Sequence, residues 1–201
     1  MRWTTLYLRS HRLPEALLAA TLLIAVIWAL TASFSNHPAA DPSLVMMAAS
    51  LAVVALSTTL SSTDDSLDRT AALPWPPRRA AHLLGLGACV SVLLALTLVT
   101  DTTFGPFGFV VRDALGLTGV AALGAILLGP HRAWFPVLAW CTPVVFMSVA
   151  GRQEVLTWMV QPVSSRPAGL TAIALAATGI VGYAVLGPPR RIQADLAGAA
   201  S

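Results

Sequence analysis

The sequence predicts an all-α polytopic membrane protein, with six transmembrane helices in a single domain over residues 1–201 and both termini in the cytoplasm. Three observations carry this. Of the 201 residues, 56% are hydrophobic and only 10% are charged, whereas soluble domains carry about 25% charged residues. Apolar runs recur six times, each close to the roughly 20 residues needed to cross about 30 Å of hydrocarbon. The arginines are distributed unequally over the two sets of loops between these runs. A mean hydropathy of +0.75 excludes disorder. A pI near 9.5 reflects a net charge of only +3. The basic residues are scattered, so no nucleic-acid partner is expected.

The runs fall near residues 13–34, 43–61, 80–100, 107–129, 133–150 and 168–187. None shows the alternation of a β-barrel strand. Lipid offers no partner for free backbone groups, which leaves helices as the solution. Arg112 and Asp113 fall inside the fourth run, and they are expected near its outer end, where the arginine can snorkel.

Orientation follows from counting arginines. The N-terminus, the loops after spans 2 and 4, and the C-terminus hold Arg2, Arg9, Arg12, Arg69, Arg78, Arg79, Arg132, Arg190 and Arg191. The opposite loops hold Arg112, Arg152 and Arg166. The richer set belongs in the cytoplasm, which suits the even helix count and a plasma-membrane location.

Residues 2–12 fit a short amphipathic helix lying in the interface. Trp3, Leu6, Tyr7 and Ser10 share one face, and Arg2, Thr5, Arg9 and Arg12 the other. The alternative is a frayed tail anchored by its arginines. Pro14 suits the first turn of span 1. That span is too long for a signal-peptide core and is followed by five more, so it is expected as an uncleaved anchor.

The loop after span 2 is the richest polar stretch. Ser62 and Asp65 resemble a capping box. Asp64, Asp65 and Asp68 sit where a helix dipole is positive, and Asp65 pairs with Arg69 at i, i+4. Leu67 and Ala71 share a face, and Pro74, Pro76 and Pro77 end the helix. A short charged cytoplasmic helix over 62–73 is expected, either a docking element or a solvated connector. The same stretch contains DDxxD at 64–68, carboxylates at the spacing that holds magnesium against diphosphate. The other acids are isolated, so a magnesium-dependent prenyl or phosphoalcohol transferase is a minor reading. Segment 153–162 is too short to cross and too apolar for a free loop. It is expected to be re-entrant or interfacial on the outer side.

All twelve basic residues are arginine. With no lysine there is no P-loop and no Schiff base, so the chain is not expected to be an enzyme by itself. Cys89 and Cys141 lie inside apolar runs and read as small buried hydrophobes. No metal or cofactor is expected, and no catalytic residue. His82 and His131 lie at helix ends, and His11 and His37 outside the spans. No Glu, Lys or His sits centrally, which disfavours ion-coupled transport. Small residues recur every four positions at Ala81, Gly85 and Cys89, at Ala114, Thr118 and Ala122 beside Ala121, Ala125 and Gly129, and at Ala174, Thr178 and Gly182. Such stripes permit close helix contact in lipid. Pro136 and Pro143 can kink span 5.

Several stretches together resemble a small permease subunit of the type-two ABC exporter family, of the kind common in high-GC actinobacteria. They are the amphipathic start over 3–12, the charged helix over 62–73, RDALGLTG at 112–119, LGPHRAW at 128–134 and WMVQP at 158–162. The resemblance covers nearly the whole chain through loose motifs. It implies two permease halves around a path, with a separate cytosolic ABC ATPase beneath. The interfacial helix (Trp3, Leu6, Tyr7, Arg9, Arg12) and the coupling residues Asp64, Asp65, Leu67, Asp68 and Arg69 would then sit on that ATPase. Segment 153–162 would close the outer side. The outer region is very short for this family, which keeps a non-transporting structural or regulatory subunit as the alternative. An apolar interior suits a hydrophobic or amphipathic cargo.

Overall fold

The computed structural model describes residues 13–35, 37, 39–60, 75–146 and 153–187. Among these residues the chain is helical apart from its connections, and the sole β feature is an isolated parallel bridge between Ala39 and Thr103. The helices are α1 (Leu13–Phe34), α2 (Pro42–Ser57), α3 (Trp75–Ala95), α4 (Phe107–Leu128), α5 (Trp134–Phe146) and α6 (Arg166–Leu186). Single 3₁₀ turns extend α2 over Thr58–Leu60 and α3 over Leu96–Val99. Two more, Pro130–Arg132 and Trp158–Val160, lie in connections.

Five helical stretches are long and apolar enough to cross a bilayer: Leu13–Phe34, Pro42–Leu60, Pro76–Val99, Phe107–Leu128 and Arg166–Leu186. The chain is thus a multi-pass helical membrane protein. The run expected as a fifth span contains the 13-residue α5, which is not among the five stretches long and apolar enough to cross. At 1.5 Å per residue this is about 20 Å, short of a full crossing. Residues 147–152 lie outside the described part, as do the expected helices over 2–12 and 62–73.

Helix ends follow local chemistry. Asp41 caps α2 by accepting a hydrogen bond from Ser43 N at 2.8 Å, with Pro42 in the first turn. Ser165 caps α6 by accepting from Ala168 N at 3.3 Å. Gly129 ends α4 at φ 89°, and Gly187 ends α6 at φ 65°, backbone angles that cost a side-chain-bearing residue energy. Hydroxyls within the helices bond their own carbonyls, as in Thr31 to Ile27 O and Thr118 to Ala114 O. They therefore need no solvent.

Helix α4 is the centre of the bundle. It packs most extensively on α6, then on α3, α2 and α5, while α1 packs mainly on α2. Its Asp113, Ala114, Leu117 and Ala122 are fully buried. In α3 the buried face is Leu83, Leu86, Val90 and Leu94, one stripe at helical spacing. The outward faces are apolar too: Leu18, Leu22, Val26 and Leu30 of α1, and Leu170, Ile173, Val181 and Val185 of α6, are exposed, as a lipid-facing surface requires.

The closest helix approach is α4 on α6. A Cβ on Gly119 would meet the Leu175 carbonyl and lie 2.6 Å from Ala176 Cα, and one on Gly179 would lie 2.8 Å from Gly119 Cα. This corrects two of the small-residue stripes read from the sequence. In α6 the contact face runs through Ala168, Ala172 and Gly179, while Ala174 and Thr178 face outward. In α3, Ala81 and Gly85 face outward and Gly87 approaches Leu115 and Thr118 of α4. A four-residue period is common to several faces of an Ala-rich helix, and only packing selects among them. The α4 stripe through Ala114, Thr118 and Ala122 is buried as expected.

Successive helices alternate in direction, which gives the bundle two distinct ends. At one, Trp28 of α1 donates to Thr102 O at 3.0 Å, and Ala40 N to Thr103 O at 2.9 Å. At the other, Thr59 lies 3.1 Å from His82 Nε2, and the Arg79 guanidinium lies against Gly187. Among the described residues the first end carries Asp41, Asp101, Asp113, Glu154, Arg112 and Arg166. The second carries Glu15, Arg78, Arg79 and Arg132.

Candidate functional site

The residues 153–165 that join α5 to α6 do not run over the surface of the bundle. Trp158 and Met159 are fully buried and Val160 nearly so, while Val155 and Leu156 are exposed. The Trp158 ring lies against Gly116 of α4, close enough that a Cβ there would overlap it. Gly116 is nine residues into α4, about 14 Å along its axis. The segment thus inserts an indole well down the bundle, beside the short helix α5. Only glycine at 116 leaves room for the ring.

Internal bonds shape the segment. It starts at Gln153, which adopts a left-handed φ of 68°, and its carbonyl accepts from Leu156 N and Thr157 N. Gln161 Nε2 donates to Thr157 Oγ1 at 2.8 Å. Ser165 Oγ donates to Glu154 Oε2 at 2.7 Å, which ties the two ends of the segment together. Helix α5 adds two contacts: Trp140 Nε1 donates to Leu156 O at 2.9 Å, and the Cys141 thiol lies 3.5 Å from Met159 Sδ.

The main tie comes from α4. Arg112 Nε donates to Asp113 Oδ1 at 3.0 Å. Its Nη2 donates to Gln161 O at 2.9 Å and Met159 O at 3.5 Å, and its Nη1 to Pro162 O at 3.3 Å. Four of the five guanidinium donors are used. The guanidinium also lies 4.8 Å from the centre of the Phe109 ring, one turn earlier on the same helix. One buried cation thereby holds the carbonyls that end the Trp158–Val160 turn.

This corrects the expectation that Arg112 snorkels. Its side chain is only 9% exposed and that of Asp113 is fully buried. A buried ion pair persists only where hydrogen bonds replace lost water, and the segment's carbonyls supply them. Sequence reasoning kept Arg112 and Asp113 as end-of-span residues and missed their role. The available signal was a charged pair inside an apolar run together with an apolar WMVQP stretch that needed a partner.

The residues expected to couple to an ATPase, Asp64, Asp65, Leu67, Asp68 and Arg69, lie outside the described part, as do Trp3, Leu6, Tyr7, Arg9 and Arg12. Among the described residues, no three His, Cys, Asp or Glu side chains gather to hold a metal ion. From mid-bundle toward the end away from the inserted segment, α2, α3 and α4 leave a narrow buried crevice. It is walled by Val53, Leu56, Leu60, Leu83, Leu86, Val90 and Ala121, with Ser57 and Thr118 as its polar members. The chain matches no family model, no curated protein and no solved structure.

Proposed function

We propose that the chain is a permease subunit in the cell membrane, one half of an ATP-driven exporter of a hydrophobic or amphipathic compound. It works with a separate cytosolic ABC ATPase and a second permease half. The observation that carries this reading is the contrast between the two ends of the bundle. One end is closed by segment 153–165, clamped onto α4 by Arg112. The half nearer the other end holds an almost wholly apolar crevice between α2, α3 and α4. In this reading segment 153–165 forms the closed side, and the crevice, with buried walls and room for about one water, is where α2, α3 and α4 would part.

The charge distribution supports the orientation. Arg78, Arg79 and Arg132 lie at the crevice end and Arg112 and Arg166 at the closed end; with Arg2, Arg9, Arg12, Arg69, Arg190 and Arg191 of the flanking sequence counted on the former side, the crevice end is assigned to the cytoplasm in this reading. The connection over 62–73 joins α2 to α3 at that same end. In this reading Asp64, Asp65, Leu67, Asp68 and Arg69, together with Trp3, Leu6, Tyr7, Arg9 and Arg12, are the residues that would contact the ATPase. A chain without lysine has no Walker motif of its own, so the energy comes from a partner.

Affinity purification from the native membrane tests the reading. It predicts an ABC ATPase in the eluate and vanadate-sensitive ATP hydrolysis after reconstitution in lipid. Replacing Asp64, Asp65 and Arg69 together with alanine should abolish that hydrolysis while the membrane bundle stays folded. An eluate without any ATPase would sink the permease reading in favour of a structural membrane subunit. Magnesium-dependent turnover of a lipid diphosphate, lost in Asp64→Asn, would replace it with a transferase.

A further inference from the structure

Among the described residues α5 and α6 both pack on α4 but barely on each other, so one face of α4 looks out between them. At 3.6 residues per turn, Arg112, Gly116, Leu123 and Leu127 line up on that face. To one side of the line lie Gly119 and Ile126, which meet Gly179 and Gly182 of α6. To the other side lies Gly124, which meets Ala133 and, on α5, Pro136.

The two halves of this face differ. At Arg112 and Gly116 it is covered by segment 153–165. The guanidinium holds the segment's carbonyls, the Trp158 ring lies on Gly116, and the Trp158–Val160 turn packs on α6. Beyond Gly116 the face is bare among the described residues. Leu123 is half-buried and Leu127 is 76% exposed, although α4 is the most buried of the spanning helices. From Gly116 to Leu127 the helix rises about 16 Å, close to half of the roughly 30 Å of hydrocarbon. The groove is therefore one leaflet deep. A partner's transmembrane helix needs the full thickness, and the inserted segment occupies the other half. A lipid tail needs one leaflet only.

The mouth of the groove has its own chemistry. The connection from α4 to α5 lies at that end and carries an exposed Arg132, which forms no ion pair among the described residues. Trp134 and Phe135 are exposed next to it, edge to face at 5.9 Å. Exposed aromatic rings of this kind mark the headgroup level of a bilayer. An arginine at that level attracts anionic headgroups.

We propose that α4, α5 and α6 form a binding site for one anionic phospholipid, with its phosphate on Arg132 and a tail along Leu127 and Leu123 as far as the inserted segment. The lipid then fills in one leaflet the gap that segment 153–165 fills in the other. The site requires only that the chain crosses a membrane, whether or not it is a permease.

Native mass spectrometry of the intact protein in detergent, titrated with dioleoylphosphatidylglycerol or dioleoylphosphatidylcholine, tests the site. One phosphatidylglycerol should be retained about fivefold more tightly than phosphatidylcholine, the effect of one arginine near a membrane surface. Arg132→Gln should abolish the preference and Arg132→Lys should keep it. Arg166→Gln, at an exposed arginine of the other end, should leave it unchanged. Leu127→Trp, which obstructs the groove, should weaken retention of both lipids. Glycerophosphoglycerol, the headgroup without tails, should not displace the bound lipid. Equal retention of the two lipids by the wild-type protein overturns the proposal, as does a preference that survives Arg132→Gln. Displacement by the headgroup alone would reduce the site to an anion contact and overturn the seating of the tail. A dimer that Leu127→Trp breaks while lipid retention stays unchanged would assign the groove to a second copy of the chain instead.

Discussion

The guanidinium of Arg112 donates a 2.9 Å hydrogen bond to the carbonyl oxygen of Gln161, 49 residues further along the chain. This bond and its companions to Met159 O and Pro162 O join the central helix to the segment that leads into α6. A charged residue within an apolar run is thus a structural tie, made stable by the carbonyls it binds and by the Asp113 carboxylate beside it.

Removing that tie should be costly. Arg112→Met leaves Asp113 buried without its partner, and breaking a buried pair from one side typically costs about 3–5 kcal/mol. The unfolding midpoint in detergent should drop accordingly. Cys141, only 4% exposed and in contact with Met159, should become reactive toward a thiol reagent, faster than in the wild-type protein. Arg112→Lys should restore little, because an ammonium cannot reproduce the planar fork that reaches both carboxylate and carbonyls.

Neutralising both partners should be milder. Arg112→Met with Asp113→Leu removes the stranded charge along with its counter-ion, and the double variant should be less destabilised than Arg112→Met alone. A double-mutant cycle on unfolding midpoints gives the coupling. Strictly additive losses would mean that the pair does not act as a unit.

Helix packing makes a contrasting pair of predictions. Gly119→Ala and Gly179→Ala drive a methyl into the backbone of the facing helix, and should each cost about 1–3 kcal/mol. Gly85→Ala meets nothing within 4 Å and should be neutral or raise stability by up to about 1 kcal/mol through helix propensity. Thermal unfolding of the three variants side by side distinguishes a packed stripe from a lipid-facing one.

Topology can be read from single cysteines. Asp101 lies in the α3–α4 connection at the closed end, and Arg132 in the α4–α5 connection at the other. In intact cells a membrane-impermeant thiol reagent should label Asp101→Cys, and label Arg132→Cys only after permeabilisation. Labelling of both from the same side would break the alternating helix directions.

The amino-acid sequence determined that this chain crosses a membrane as helices, and roughly where. Hydropathy is a local sum, so the runs at 13–34 and 107–129 match α1 and α4 to within a residue. Caps are equally local, and Asp41-Pro42 and Gly129-Pro130 mark helix boundaries without any knowledge of neighbours. The fifth run gave less, because an apolar stretch bounded by polar residues does not reveal whether its last turns continue as helix. Only tertiary structure decided which face of each helix packs. In lipid the inward and outward faces of α3 and α6 are equally apolar, so no amphipathic pattern separates Gly87 from Gly85, or Gly179 from Thr178. The site was hidden for the same reason. Arg112 and Asp113 were visible as charges, but the carbonyls of Met159, Gln161 and Pro162 that stabilise them belong to backbone, which every residue carries alike. Their convergence on one guanidinium exists only after the chain has folded back onto α4.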